Sequence, residues 1–180
     1  SHVVNAWQEG TKIHFLIPES KNNFFPFFPD VHGAPFKPEE SVTHITDWVV
    51  DLASNGDEFE RIERLTDTFS EFPRIDDRFT GQKTRYTWGL EVDFARPIEA
   101  VGGSAGGAPM NCLFLKDLET GAEQHWWAGP TSTLQEPCFI PRTPDAPEGD
   151  GWIVQVCNRL ESHTSDLLLF DALGNDGRGK

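Results

Sequence analysis

Short segments with apolar residues at alternate positions, each closed by a turn and answered by another such segment, recur along this chain. That pattern constrains the fold more than any other feature. Ile13, Phe15 and Ile17 alternate with polar neighbours, the period of a half-buried strand. Residues 42–52 form a β-branched and aromatic run, followed by Ser54-Asn55-Gly56-Asp57 and a second run over 58–65. Asn-Gly between two such runs signals a hairpin. Residues 58–68 carry mixed charge and on their own would read as a helix, but the turn before them favours the hairpin. Further strands are expected over 85–94, 111–118, 122–127, 151–157 and 165–171. No long amphipathic helix is visible. The chain is therefore all-β. Periodicity leaves a sandwich, a barrel and a propeller open, although a strand ending in Asp-Leu, a glycine turn and a returning strand, as at Asp117-Leu118 and Gly121, is frequent in propeller blades.

Two segments read as loops. Residues 22–38 interleave Pro26, Pro29, Pro35 and Pro38 with Phe24, Phe25, Phe27, Phe28 and Phe36. Gly102-Gly103-Ser104-Ala105-Gly106-Gly107 is a connector that lacks the Gly-Lys-Ser/Thr ending of a phosphate-binding loop. With 180 residues the chain fits one domain or part of one, and 14 Phe with 6 Trp supply ample core material. A net charge of -14 repels phosphate backbones and argues against general nucleic-acid binding. No apolar stretch approaches the ~20 residues of a membrane-spanning helix, and no secretory signal is seen at the start. Cys112, Cys138 and Cys157 are odd in number and widely spaced, as expected of buried, reduced thiols in a cytosolic protein. Ser1 opens directly onto a strand-like segment, and residues 174–180 read as a hairpin loop awaiting its second strand. Residues 1–180 are thus expected to be a segment of a longer single-domain protein.

Few residues announce chemistry. The six histidines show no H-x-H or H-x-x-x-H spacing, and no G-x-S-x-G is present, so neither a local zinc motif nor a nucleophile elbow exists. Two acids stand out: Glu71 in Glu71-Phe72-Pro73-Arg74-Ile75 and Glu136 in Glu136-Pro137-Cys138-Phe139-Ile140-Pro141-Arg142, each just ahead of apolar residues and a proline. A carboxylate buried in such a setting must be paired or hydrogen-bonded. Two readings stay open: an exposed loop acid, or a carboxylate that accepts the N–H of a metal-bound imidazole and so fixes its tautomer.

Taken in order, His2-Val3-Val4-Asn5-Ala6-Trp7, Glu71-Phe72-Pro73-Arg74-Ile75, Arg85-Tyr86-Thr87-Trp88-Gly89, the Glu136 segment, and Asp150-Gly151-Trp152 with residues 165–172 resemble the carotenoid cleavage dioxygenase family. Among its members, the segment from Val3 to Gly10 and the phenylalanine-rich loop look most like the bacterial lignostilbene dioxygenases. The resemblance implies a seven-bladed β-propeller, of which this chain would supply about three blades, with iron(II) held by four histidines and glutamates orienting them. By position His2 matches the third of those histidines, and Glu71 and Glu136 match the last two glutamates. Glu71 would orient His2, and Glu136 would orient a fourth histidine lying beyond the chain. His14, His32, His44, His125 and His163 match no ligand position.

Phe72, Ser1, Phe24 and Phe25 are expected to line the substrate pocket, with Ser1 opening space where many members carry phenylalanine. The implied reaction splits the central C=C bond of a hydroxylated stilbene with O2 into two aromatic aldehydes. Cleavage of a carotenoid or apocarotenoid is the sibling expectation, and a non-enzymatic propeller-like binding module is the alternative for a chain complete as it stands. The implied partners are a small aromatic alkene and O2, with no nucleic acid, in a bacterial cytoplasm. The residues that would grip a phenol lie upstream, and the oligomeric state is left open.

Overall fold

Where apolar side chains alternate, the backbone extends and pairs. A computed structural model describes residues 2–22, 31–34, 42–67, 69–93, 95–99 and 110–174. Within these, strands form three four-stranded sheets. The first holds β1 (Asn5–Glu9), β2 (Lys12–Ser20), β3 (Thr43–Asp51) and β4 (Arg61–Arg64) in sequence order. The second holds β5 (Phe69–Arg74), β6 (Tyr86–Val92), β7 (Cys112–Asp117) and β8 (Glu123–Trp127), also in order. The third is built on β11 (Gly151–Arg159), flanked on one side by β12 (Thr164–Asp171) and on the other by β9 (Ser132–Leu134) and β10 (Cys138–Pro141) laid end to end. All pairings are antiparallel. Four-stranded meanders repeated along a chain are the blades of a propeller.

Residues 58–67 are not helical. Val49 pairs with Arg61, so the hairpin connection extends well past Asn55-Gly56 and the dipeptide is one part of a longer loop. The loop around Phe24 to Phe28 and the Gly102–Gly107 connector lie outside the described residues. Of the cysteines, Cys112 and Cys157 are buried but Cys138 is exposed, because its side chain points to the open face of the third sheet. Among the described residues no helix is long and apolar enough to cross a membrane.

Apolar faces of adjacent sheets close on each other. Val4, Leu16 and Ile45 of the first sheet region pack with Ile75 and Phe114 of the second. Trp88, Leu90, Leu113 and Leu115 of the second pack with Leu134, Ile153, Cys157 and Ala172 of the third. Burying side chains of this size stabilises by roughly 1.5–3 kcal/mol each. Trp88 also stacks on Phe139, with centroids 5.0 Å apart, and its indole N–H donates to the carbonyl of Ala172 at 2.8 Å, so its one polar atom is satisfied.

Polar side chains fix how the sheets sit against one another. Buried Asn5 donates to the carbonyls of Phe79 and Gln82 at 3.2 and 2.8 Å and accepts from the amides of Ala6 and Gly81 at 2.9 and 3.1 Å. It thereby ties the start of β1 to the 3-10 turn after β5. Thr43 on β3 donates its hydroxyl to the carbonyl of Ser70 on β5 at 2.7 Å. Glu148, ahead of β11, accepts from the hydroxyl of Thr84 and the amides of Arg85 and Tyr86 at 2.6 to 3.1 Å. Arg78 donates to the carbonyls of Pro144 and Ala146 at 2.9 and 3.0 Å. These directional bonds make the packing specific as well as favourable.

Candidate functional site

His2 and Glu71 are 69 positions apart in sequence and meet in the fold. The Asn5 clamp holds the segment carrying His2 beside β5. There His2 Nδ1 lies 2.6 Å from Glu71 Oε2. A carboxylate oxygen can only accept, so Nδ1 carries the proton, and the Nε2 lone pair is left for another partner. Glu71 is 4% exposed, whereas the His2 side chain is 48% exposed. The acid is a buried anchor and the imidazole is presented from it.

The local backbone explains how a carboxylate comes to be buried here. β5 pairs regularly with β6 at Glu71↔Leu90 and again at Arg74↔Trp88, so one extra residue is accommodated between them as a bulge. Phe72 within that bulge has φ +49°, a left-handed conformation that costs a non-glycine residue roughly 1–2 kcal/mol. Its amide donates to Glu71 Oε2 at 3.0 Å. The Phe72 ring lies against the His2 imidazole, with centroids 4.7 Å apart and planes tilted by 41°. Behind the pair, Gly89 leaves no room for a side chain: a Cβ there would stand 2.6 Å from the Phe114 ring and 3.0 Å from the Glu71 carbonyl.

Glu136 occupies the break between β9 and β10. It is exposed and accepts from Arg74 Nη1 at 3.2 Å, while the same guanidinium also contacts Asp77. Arg74 thus carries the end of β5 across to the third sheet. The structure joins His2, Glu71 and Phe72 directly and brings Glu136 into contact through Arg74, not through a histidine. Ser1, Phe24 and Phe25 lie outside the described residues. Among those residues no group of three or more His, Cys, Asp and Glu forms a metal cluster.

Two further histidines are held by acids. His14 Nδ1 lies 3.0 Å from Asp47, and its ring stacks flat on Trp7 at 4.6 Å. His125 Nδ1 lies 2.5 Å from buried Glu91, whose hydrogen bond raises the histidine pKa above the usual value with further help from Glu123. Burial, reinforced by Glu91, pushes the neighbouring Cys112 thiol up to about 11, so this cysteine is inert at neutral pH. Sequence reading singled out neither pair. Both join residues on different strands and leave no local spacing to read. It also missed the roles of the Phe72 amide and of Arg74, although Arg74 lies in the same segment as Glu71.

The sequence profile of the retinal pigment epithelial membrane protein family matches residues 1–175. The chain is 47% identical to lignostilbene-α,β-dioxygenase isozyme III of Sphingomonas paucimobilis over 184 aligned residues, covering 100% of this chain and 38% of that protein. It is 42% identical to isoeugenol monooxygenase of Pseudomonas nitroreducens, covering 94% of this chain and 35% of that one. The crystal structure of Pseudomonas brassicacearum lignostilbene dioxygenase superposes with a TM-score of 0.89 at 34% identity, covering 98% of this chain and 37% of that one. The chain therefore spans under two fifths of the length of these relatives. The three sheets are blades of the seven-bladed propeller that carotenoid oxygenases share, as the sequence led one to expect.

Proposed function

The chain belongs to the family of the retinal pigment epithelial membrane protein, the carotenoid cleavage oxygenases, and from that premise we propose that it is part of an iron(II)-dependent dioxygenase cleaving the central C=C bond of hydroxylated stilbenes. The observation that carries the proposal is the His2–Glu71 pair: an imidazole with Nδ1–H anchored on a buried carboxylate. That is the arrangement in which a histidine serves a metal, since the hydrogen bond fixes the tautomer and raises the basicity of the free nitrogen. A neutral imidazole is also a good donor to iron(II). The residues present therefore fit one quarter of the implied ligand set. Bound iron(II) would supply the binding and activation of O2 beside the double bond.

The chain's own residues contribute positioning. His2 offers Nε2, Glu71 holds its proton at Nδ1, and the Phe72 ring covers one side of the imidazole. Glu136 is proposed to orient a histidine outside this chain, with Arg74 as its partner here. The net reaction adds both atoms of O2 to one alkene and gives two carbonyl compounds. A stilbene, ArCH=CHAr′, would yield ArCHO and Ar′CHO. Ser1, Phe24 and Phe25 remain proposed pocket residues. We also place the protein in a bacterial cytoplasm, in keeping with its three free cysteines.

The 42% identity to an isoeugenol monooxygenase favours isoeugenol, a phenol conjugated to a shorter alkene, as a second substrate. Carotenoid substrates are less favoured, because the lignostilbene dioxygenase of Sphingomonas paucimobilis is 47% identical against 33% for carotenoid cleavage oxygenase 1 of Neurospora crassa. The test is iron analysis of the full-length gene product carrying this chain, with chromatography of the products formed from a hydroxylated stilbene, isoeugenol and an apocarotenoid. Two aromatic aldehydes from the stilbene, together with stoichiometric iron, are expected. Active, folded protein free of iron overturns the reading. Turnover of the apocarotenoid alone overturns the substrate assignment.

A further inference from the structure

Resting on the reading of His2 as a metal ligand, we propose that Phe72 is a positioning residue for that imidazole, acting through both its main-chain amide and its ring, and not simply a wall of the substrate pocket. Four observations converge on it. First, the bulge between Glu71 and Arg74 takes the Phe72 amide out of the β5–β6 ladder, so that this N–H is free to serve a side chain. Second, the N–H donates to Oε2 of Glu71, the same oxygen that accepts from His2 Nδ1. The carboxylate oxygen on which the imidazole hangs is itself pinned by the backbone of the next residue. Third, the Phe72 ring rests on the imidazole at 4.7 Å, and its other contacts are with the apolar cluster between the second and third sheets. Glu71 fixes one edge of the imidazole. The tilted phenyl ring restricts rotation of its plane about that hydrogen bond.

The fourth observation is the conformation. A left-handed residue at a bulge is ordinarily glycine, for which φ +49° carries no Cβ penalty. Here the position holds phenylalanine, so the strain is tolerated in exchange for a ring at this location. Strain of this kind collects at functional sites. The described partners of the imidazole are Glu71 and Phe72, and its side chain is half exposed, so little else restricts it. A hydrogen bond alone leaves the ring free to swing about the N–H···O axis. A hydrogen bond and a ring contact together leave one orientation.

The experiment uses the full-length protein with cobalt(II) in place of iron, so that metal geometry can be read without turnover. Phe72→Leu, Phe72→Tyr, Phe72→Gly and His2→Ala are compared by visible absorption of bound cobalt, by the rate of cobalt loss to a chelator, and by circular dichroism to confirm folding. Phe72→Leu is expected to shift the cobalt bands and speed metal loss by about 10-fold, the range seen when groups that orient metal ligands are altered. Phe72→Tyr, which keeps the ring, should stay within about twofold of wild type. Phe72→Gly, which keeps the N–H and relieves the backbone, should still lose metal faster than Phe72→Tyr, isolating the ring's contribution. Folded Phe72→Leu and Phe72→Gly with wild-type bands and metal-loss rates, alongside a His2→Ala that releases cobalt, overturn the role of Phe72 and leave the iron reading intact. A His2→Ala that binds cobalt as wild type does overturns the underlying reading instead.

Discussion

Glu71 shows how one carboxylate can be buried without stranding a charge. Its Oε2 receives the His2 imidazole N–H and the Phe72 amide, so its desolvation is offset by two hydrogen bonds. Glu71→Gln keeps the shape but replaces an anionic acceptor with a weaker, neutral one. We expect iron content or turnover of the full-length protein to drop by ~10–100-fold, with the melting temperature changed little. Unchanged iron and rate would remove Glu71 from the site. His125 has a similar partner but a different consequence. Because its hydrogen bond to Glu91 raises the folded-state pKa above the ordinary 6.5, the stabilisation is complete below that value. It is lost as pH rises through the raised pKa. Urea melts from pH ~6 to pH ~9 should show this decline, and His125→Gln should flatten it. The Glu71–His2 pairing was expected from the ordered resemblance, in which Glu71 would orient His2, whereas nothing in the sequence marked His125 with Glu91. The acid at position 71 was marked by its apolar setting, and His2 by an ordered resemblance of segments, but nothing local in the sequence joins residues 69 positions apart.

At the level of elements, what the sequence showed depended on length and period. β2, β3, β6, β7, β11 and β12 each run six residues or more, with alternating or β-branched patterns, and were all anticipated. β9 and β10 have three and four residues, and β10 ends in proline, so neither was anticipated as a strand. β5 was not anticipated as a strand: Pro73 interrupts its pattern, and the bulge leaves no mark in the sequence. Its form is dictated by its partners: β6 supplies the ladder, and Gly89 on β6 admits the Phe114 ring against the Glu71 backbone. Gly89→Ala would place a methyl group 2.6 Å from a ring atom of Phe114, which is 1% exposed and cannot withdraw. A loss of about 1–3 kcal/mol is expected in denaturant unfolding, with β5 the first element to shift. Full stability in this variant would show that Phe114 can relocate.

Across the sheets, alternating apolar faces pack on one another, and among the described residues the third sheet leaves an apolar face uncovered. On the third sheet Leu167 is 73% and Leu169 62% exposed, with Val156 and Ile140 on the same side of the ladder. A contiguous apolar face of this kind favours association. The chain of residues 1–180 on its own is expected to self-associate at micromolar concentration in sedimentation velocity, and Leu167→Lys with Leu169→Lys should shift it toward monomer. A monodisperse, cooperatively melting monomer of the unmodified chain would contradict this. The all-β class was readable from the strand pairs and the propeller from the ordered resemblance of segments; which faces meet was not, because inter-sheet contacts such as Trp88 with Ala172 obey no short-range rule. His2 precedes β1 and Glu71 sits on β5, with Asn5 fastening the two regions together. The candidate ligand is therefore assembled only when neighbouring blades have docked. During synthesis the blade of β1 to β4 emerges before that of β5 to β8, and its imidazole becomes a prepared donor only once the later blade supplies Glu71. Competence to take up metal would then report that the two blades are correctly seated, a built-in checkpoint on the order of assembly.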